Sequence, residues 1–141
     1  MSTTPADYLV VAKTLSDFAA GEAKSEAYLR GACSRAYYSA YGELRVAIEH
    51  IRPMVFRSRG RHTHLVQALQ HDSTDHQLRK VGVRLNHLKD QRELADYDWA
   101  NPVSDSYAKL SLSRAASVLQ SIQVLTGPQI HKIAMWMAAN P

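Results

Sequence analysis

The stretch RELADYDW sets an arginine, Arg92, four residues before Asp96 and five before Tyr97. Upstream, Leu78, Val81, Leu85 and Leu88 step by three and four, and the same stripe calls for apolar residues at 92 and 95. Ala95 fits and Arg92 does not. A guanidinium on the inner side of a helix must meet an anion, carbonyl groups or water, because an unpaired buried charge is costly. One reading is a local Arg92–Asp96 pair at a fraying helix end, worth only a few tenths of a kcal/mol if exposed. The other is a polar cleft in which the planar five-donor fork of Arg92 meets a phosphate.

Two further groups of residues suit an anionic ligand. In SRAYYSAYGELR, Arg35, Tyr38, Ser39 and Gly42 fall at i, i+3, i+4 and i+7 of one helix and so share a face. A cation, a phenol, a hydroxyl and a glycine make poor core material, and a mid-helix glycine costs about 1 kcal/mol against alanine unless another backbone comes close. Tyr37 and Tyr41 read as core or interface aromatics. The connection RPMVFRSRGR carries Arg52, Arg57, Arg59 and Arg61 with no acid, beside His62 and His64. It is either a solvated loop or an anion-facing one.

Other chemistries find little support. The seven histidines include the H-x-H pair His62/His64, with His71 and His76 downstream, but their spacing matches no specific zinc signature, so no metal is expected. The single cysteine, Cys33, forms no intrachain disulfide and points to a reducing compartment. No Gly-rich phosphate loop, nucleophile elbow or H-E-x-x-H motif is present, and no cofactor is expected.

These residues must be positioned by helices. At 141 residues the chain suits one core, and its 45% apolar content with 6 glycines and 5 prolines favours long segments. Period and punctuation predict helices over about 5–20, 22–51, 63–71, from a Ser73 or Thr74 cap to about 97, and over about 104–125, where Gly127-Pro128 is read as the stop. A tail with Ile130, Ile133, Ala134, Trp136 and Met137 at helical spacing adds a short sixth. The expectation is an all-α, antiparallel up-and-down bundle of four to five helices with a short extra C-terminal helix. The net charge of +4 suits an anionic partner. The start lacks an export signal, and no run of ~18 apolar residues occurs, so a cytoplasmic protein without a membrane span is expected.

Taken together, SRAYYSAYGELRVAI, a basic loop leading into HTHL, and a helix ending RELADYDW resemble the HEPN superfamily of small all-α proteins. The resemblance is closest to the branch with R-A-Y-Y in the second helix, a histidine opening the third and R-x-x-A-D-Y closing the fourth. It runs from about Ala20 to Leu125. It implies a helical bundle, usually a homodimer, in which many members are metal-independent ribonucleases with an R-x(4–6)-H signature. In these the RNA 2′-hydroxyl attacks the adjacent phosphate, histidine moves protons and arginine stabilises charge. Carried over, Arg92 is that arginine, and Tyr97 stands where the histidine would. The resemblance then implies His64 as the substitute proton carrier, with Asp96 orienting the site and Arg35 and Tyr38 lining it. Arg57, Arg59 and Arg61 would contact the strand.

Three functions stay open at this point. One is an RNA- or nucleotide-binding protein acting as the nuclease or toxin half of a defence or toxin–antitoxin pair. Another is a non-catalytic module pairing with a nucleotidyltransferase-type or antitoxin partner. The third is nucleotide sensing without turnover.

Overall fold

A computed structural model describes residues 3–19, 25–57 and 61–141. Among them the chain is all-helical, with α1 (Pro5–Ala19), α2 (Ser25–Ile51), α3 (Arg61–Gln70), α4 (His76–Tyr97), α5 (Asp105–Gln123) and α6 (Gly127–Ala139). Gly21, Ser58, Arg59 and Gly60, which the sequence reading placed in connections, lie outside the described residues.

The long helix α2 is the hub and packs against α1, α4, α5 and α6, while α3 lies against α4 and α6. Of its expected stripe, Leu29, Cys33, Ala36, Ala40 and Leu44 are buried, while Ala47 is half-buried and Ile51, at the helix end, is exposed. On α4 the expected positions Leu78, Val81, Leu85, Leu88 and Ala95 are buried, and Arg92 with them. The sequence-based stripe therefore locates the arginine correctly on the inner side. Gly42 also has its reason, since a Cβ there would stand 3.2 Å from the Pro5 ring of α1.

Local chemistry sets the helix ends. Asp75, one residue past the expected Ser73 or Thr74, caps α4 by accepting from the Leu78 amide at 3.1 Å. Ser104 caps α5 in the same way, and Thr126 with Gln129 forms a capping box for α6. Gly127-Pro128 thus belongs to the first turn of α6 and is not the stop of α5, because proline lacks an N–H at a place where none is needed. Lys132 of α6 pairs with Asp72 and Asp75 at 2.8 and 3.3 Å, tying the tail helix to the α3–α4 connection.

Gly82 marks the closest approach of α3 and α4. A Cβ there would meet Gln70 Cγ at 2.7 Å and Leu69 Cβ at 3.0 Å. Gly82→Ala gains about 1 kcal/mol of helix propensity but overpacks the contact by about 2. The variant is expected to lose about 1 kcal/mol in urea unfolding. A stabilised variant would contradict the close packing.

Candidate functional site

Arg92 lies in the last turns of α4 with 6% of its surface exposed. Its guanidinium is held among three rings, 5.2 Å from Tyr37, 5.6 Å from Tyr38 and 5.9 Å from Tyr97. Arg92 Nη1 stands 3.7 Å from Asp96 Oδ2, too long for a hydrogen bond, and that carboxylate accepts from Ser34 at 3.3 Å. Arg92 Nε is buried with no hydrogen-bond partner among the described residues. The charge is met mainly by aromatic faces, which stabilise a desolvated cation by up to about 2 kcal/mol while leaving its N–H donors unused.

Above it opens a cleft of about 860 Å³ lined by Tyr38, His62, Arg92, Glu93, Tyr97 and Asp98. Tyr38 comes from α2, His62 from the first turn of α3, and Tyr97 ends α4 with 70% of its surface exposed. The cleft carries acids as well as a cation. Glu93 pairs with Lys89 at 3.0 Å, and Asp98 accepts from Asn101 Nδ2 at 2.7 Å and from the Ala100 amide at 3.2 Å. The Asn101 side chain holds the Asp98 carboxyl below the usual carboxylate range. One phosphate near Arg92 and a planar, amine-bearing ring against the tyrosines and carboxylates would match this mixture.

His62 Nδ1 is 2.7 Å from the Tyr37 hydroxyl, and its ring packs on Tyr41 with centroids 4.3 Å apart. Burial pushes the imidazole below its ordinary value, with Arg92 and Lys89 adding to the effect. Burial likewise drives the Tyr37 phenol well above its ordinary value, so that its hydroxyl keeps its proton. That hydroxyl can donate to Nδ1 or accept from it, leaving Nε2 of a neutral ring as a donor or an acceptor. A neutral imidazole in this place can accept a proton from a bound ligand.

The structure brings together Arg92, Tyr38 and Tyr97, with Asp96 beside them. It does not bring in His64 or Arg35. Two residues along a helix turn by about 200°, so His62 and His64 face opposite ways. His64 packs on Trp136 with centroids 5.2 Å apart, lines a different cleft with His71, and bonds Arg61. Arg35 is exposed and lies 5.7 Å over the Tyr8 ring of α1. Arg57 is exposed, Arg61 opens α3, and Arg59 lies outside the described residues. No group of three or more His, Cys, Asp or Glu able to hold a metal occurs among the described residues, nor is any helix there long and apolar enough to cross a membrane.

Sequence reasoning missed His62 because the phase of α3 depends on where that helix starts. It also missed Arg30, which holds the end of α4 in place. Arg30 Nη1 donates to the carbonyls of Leu94, Ala95 and Asp98 at 3.1, 2.9 and 2.9 Å, and Nη2 donates to that of Asn101 at 2.7 Å. Glu26 Oε1 accepts from Arg30 Nε and Nη2, and the Trp99 ring covers the guanidinium at 5.0 Å. The E-x-x-x-R spacing of Glu26 and Arg30 was the available signal, but it names no distant carbonyls.

The depressed basicity of His62 has a stability consequence. The unfolded chain takes up its proton near pH ~6.5 and the native state only at lower pH, so stability falls as pH drops below about 6.5. His64, also lowered mainly by burial, acts in the same direction. The paired carboxylates Asp98 and Glu26 are lowered too, and they lose their contribution only below their ordinary values of 3.8 and 4.5. Urea unfolding at a series of pH values is expected to show a decline beginning near ~6.5 that His62→Gln partly flattens. An identical decline in the variant would contradict a neutral, half-buried His62.

Compared with protein-family models, with curated proteins and with solved structures, the chain gives no match.

Proposed function

We propose that the chain is a HEPN-type RNA-binding protein, an antiparallel up-and-down bundle acting as a homodimer, whose Arg92 cleft takes one nucleotide of an RNA strand. The observation that carries this reading is the Arg92 guanidinium, buried among three aromatic rings with Nε unpartnered at the floor of an open cleft. A phosphate oxygen entering the cleft would meet the Arg92 charge where that side chain lines it, and the rings of Tyr38 and Tyr97 offer stacking faces for a base. Endonucleolytic cleavage extends the reading. The 2′-hydroxyl attacks the adjacent phosphorus and yields its proton to His62, the P–O5′ bond breaks and the 5′-oxygen takes a proton from water, and Arg92 stabilises the added charge.

Incubation with total RNA, read for 2′,3′-cyclic phosphate ends, tests cleavage, and anisotropy of a labelled single strand tests binding. A protein that binds without cutting keeps the binding reading and loses the nuclease. A protein that does neither loses both. The exposure of Trp99, 77% at the edge of the same helix end, favours a second reading in which this rim docks a nucleotidyltransferase-type or antitoxin partner. Recovery of such a protein without RNA would favour it.

A further inference from the structure

The opposite flank of α4 carries a separate feature. Lys80, Arg84 and His87 of α4 face Arg114 and Ser117 of α5 across a groove of about 450 Å³, with Val83 in its wall. No acid lines it. Some cations elsewhere are paired, Arg45 with Glu49, Lys89 with Glu93, Lys109 with Asp105, and Lys132 with Asp72 and Asp75, while Lys13, Arg35, Arg52, Arg57 and Arg79 are in no ion pair among the described residues. Among the described residues Lys80, Arg84 and Arg114 make no ion pair. Arg84 and Arg114 are half-buried in the groove, and Arg84 donates only to the neutral hydroxyl of Ser121 at 3.1 Å. Asp90, one turn further along α4, is exposed and pairs with none of them.

Half-buried cations of one sign, close together and without counter-ions, repel one another, and the arrangement is relieved by an anion. From Lys80 to Arg84 the helix rises about 6 Å, so with Arg114 across the groove the cations form a short line and not a point. Two half-buried arginines and an exposed lysine along a groove between two helices accept a narrow chain of charges. A flat anionic membrane cannot reach into it, and Val83 is the large apolar side chain exposed in its wall.

We propose that the α4–α5 groove is a second nucleic-acid site, which takes the phosphodiester backbone of a single strand through Lys80, Arg84 and Arg114. Phosphates carry no sequence information and are alike in RNA and DNA, so this groove binds both strands equally. It differs in this from the Arg92 cleft, whose rings and carboxylates face a base.

The test is fluorescence anisotropy of labelled single-stranded RNA and DNA dodecamers of one sequence over a range of salt concentrations. The triple variant Lys80→Gln/Arg84→Gln/Arg114→Gln is expected to bind both at least tenfold more weakly at about 0.1 M salt, with a salt slope reduced by about 2. Arg92→Gln lowers RNA affinity while changing that slope by at most about 1. If the triple variant melts early, the single variants Arg84→Gln and Arg114→Gln serve instead, each lowering both affinities and the slope by about 0.7. Unchanged affinity and slope would overturn the proposal. So would a wild-type protein that binds phosphatidylserine vesicles but neither strand, or that binds neither strands nor vesicles. Loss of binding in the groove variants with none in Arg92→Gln keeps the groove and removes the cleft, and the reverse result removes the groove alone.

Discussion

Arg92→Met is expected to weaken single-stranded RNA binding by about 30-fold while leaving the folded protein at least as stable as the wild type. The affinity figure follows from losing one or two charge-assisted hydrogen bonds to phosphate, worth about 2 kcal/mol. The stability figure follows from the poor pairing of Arg92, which is 3.7 Å from its nearest carboxylate and has an unsatisfied Nε. Removing such a cation recovers desolvation energy, and methionine keeps the volume among the three tyrosines. Loss of the cation–π contacts offsets part of that gain. Opposite signs in the two readouts are what a side chain retained for its ligand produces. Anisotropy and urea unfolding on one preparation check both. A variant that loses stability and keeps affinity would show Arg92 to be structural.

Arg30→Met is expected to do the reverse and lose about 4 kcal/mol of stability. Arg30 is as buried as Arg92, at 6% exposure, but its donors are filled by four carbonyls and Glu26. The Leu94 carbonyl keeps the Asp98 amide, but methionine leaves the carbonyls of Ala95, Asp98 and Asn101 and the Glu26 carboxylate without the guanidinium, each loss costing about 1 kcal/mol or more. The turn that carries Tyr97 and Asp98 would fray with them. Denaturant unfolding measures the loss, and a change under 1 kcal/mol would mean that water replaces the guanidinium at little cost. Two arginines of equal burial therefore separate by the state of their donors, one built into the fold and one left open.

Much of this was legible in the sequence, because helical period is a local property. The stripes on α2 and α4 locate most of the buried residues, and the interruption at Arg92 marks the place of the cleft. Gly42 was legible as a close approach for the same reason. The failures, the Gly127-Pro128 stop apart, are relations between elements. Which histidine of H-x-H faces Arg92 depends on the phase of a ten-residue helix, and a one-residue change in its start turns each side chain by about 100°. Arg30 binds carbonyls 64 to 71 residues away, which no local pattern encodes. The groove at Lys80, Arg84 and Arg114 joins two helices whose adjacency emerges only from packing. Gly127-Pro128 was misread because the same pair can follow one helix or open the next, and the capping box at Thr126 decides it.

The most direct test of the central claim is photocrosslinking. Single-stranded RNA carrying 4-thiouridine, irradiated in complex with the protein and mapped by peptide mass spectrometry, is predicted to place its adducts on Tyr38, His62 or Tyr97. Adducts confined to other surfaces, or a bound strand that labels none of these three side chains, would contradict the assignment of the Arg92 cleft as the place where a nucleotide sits.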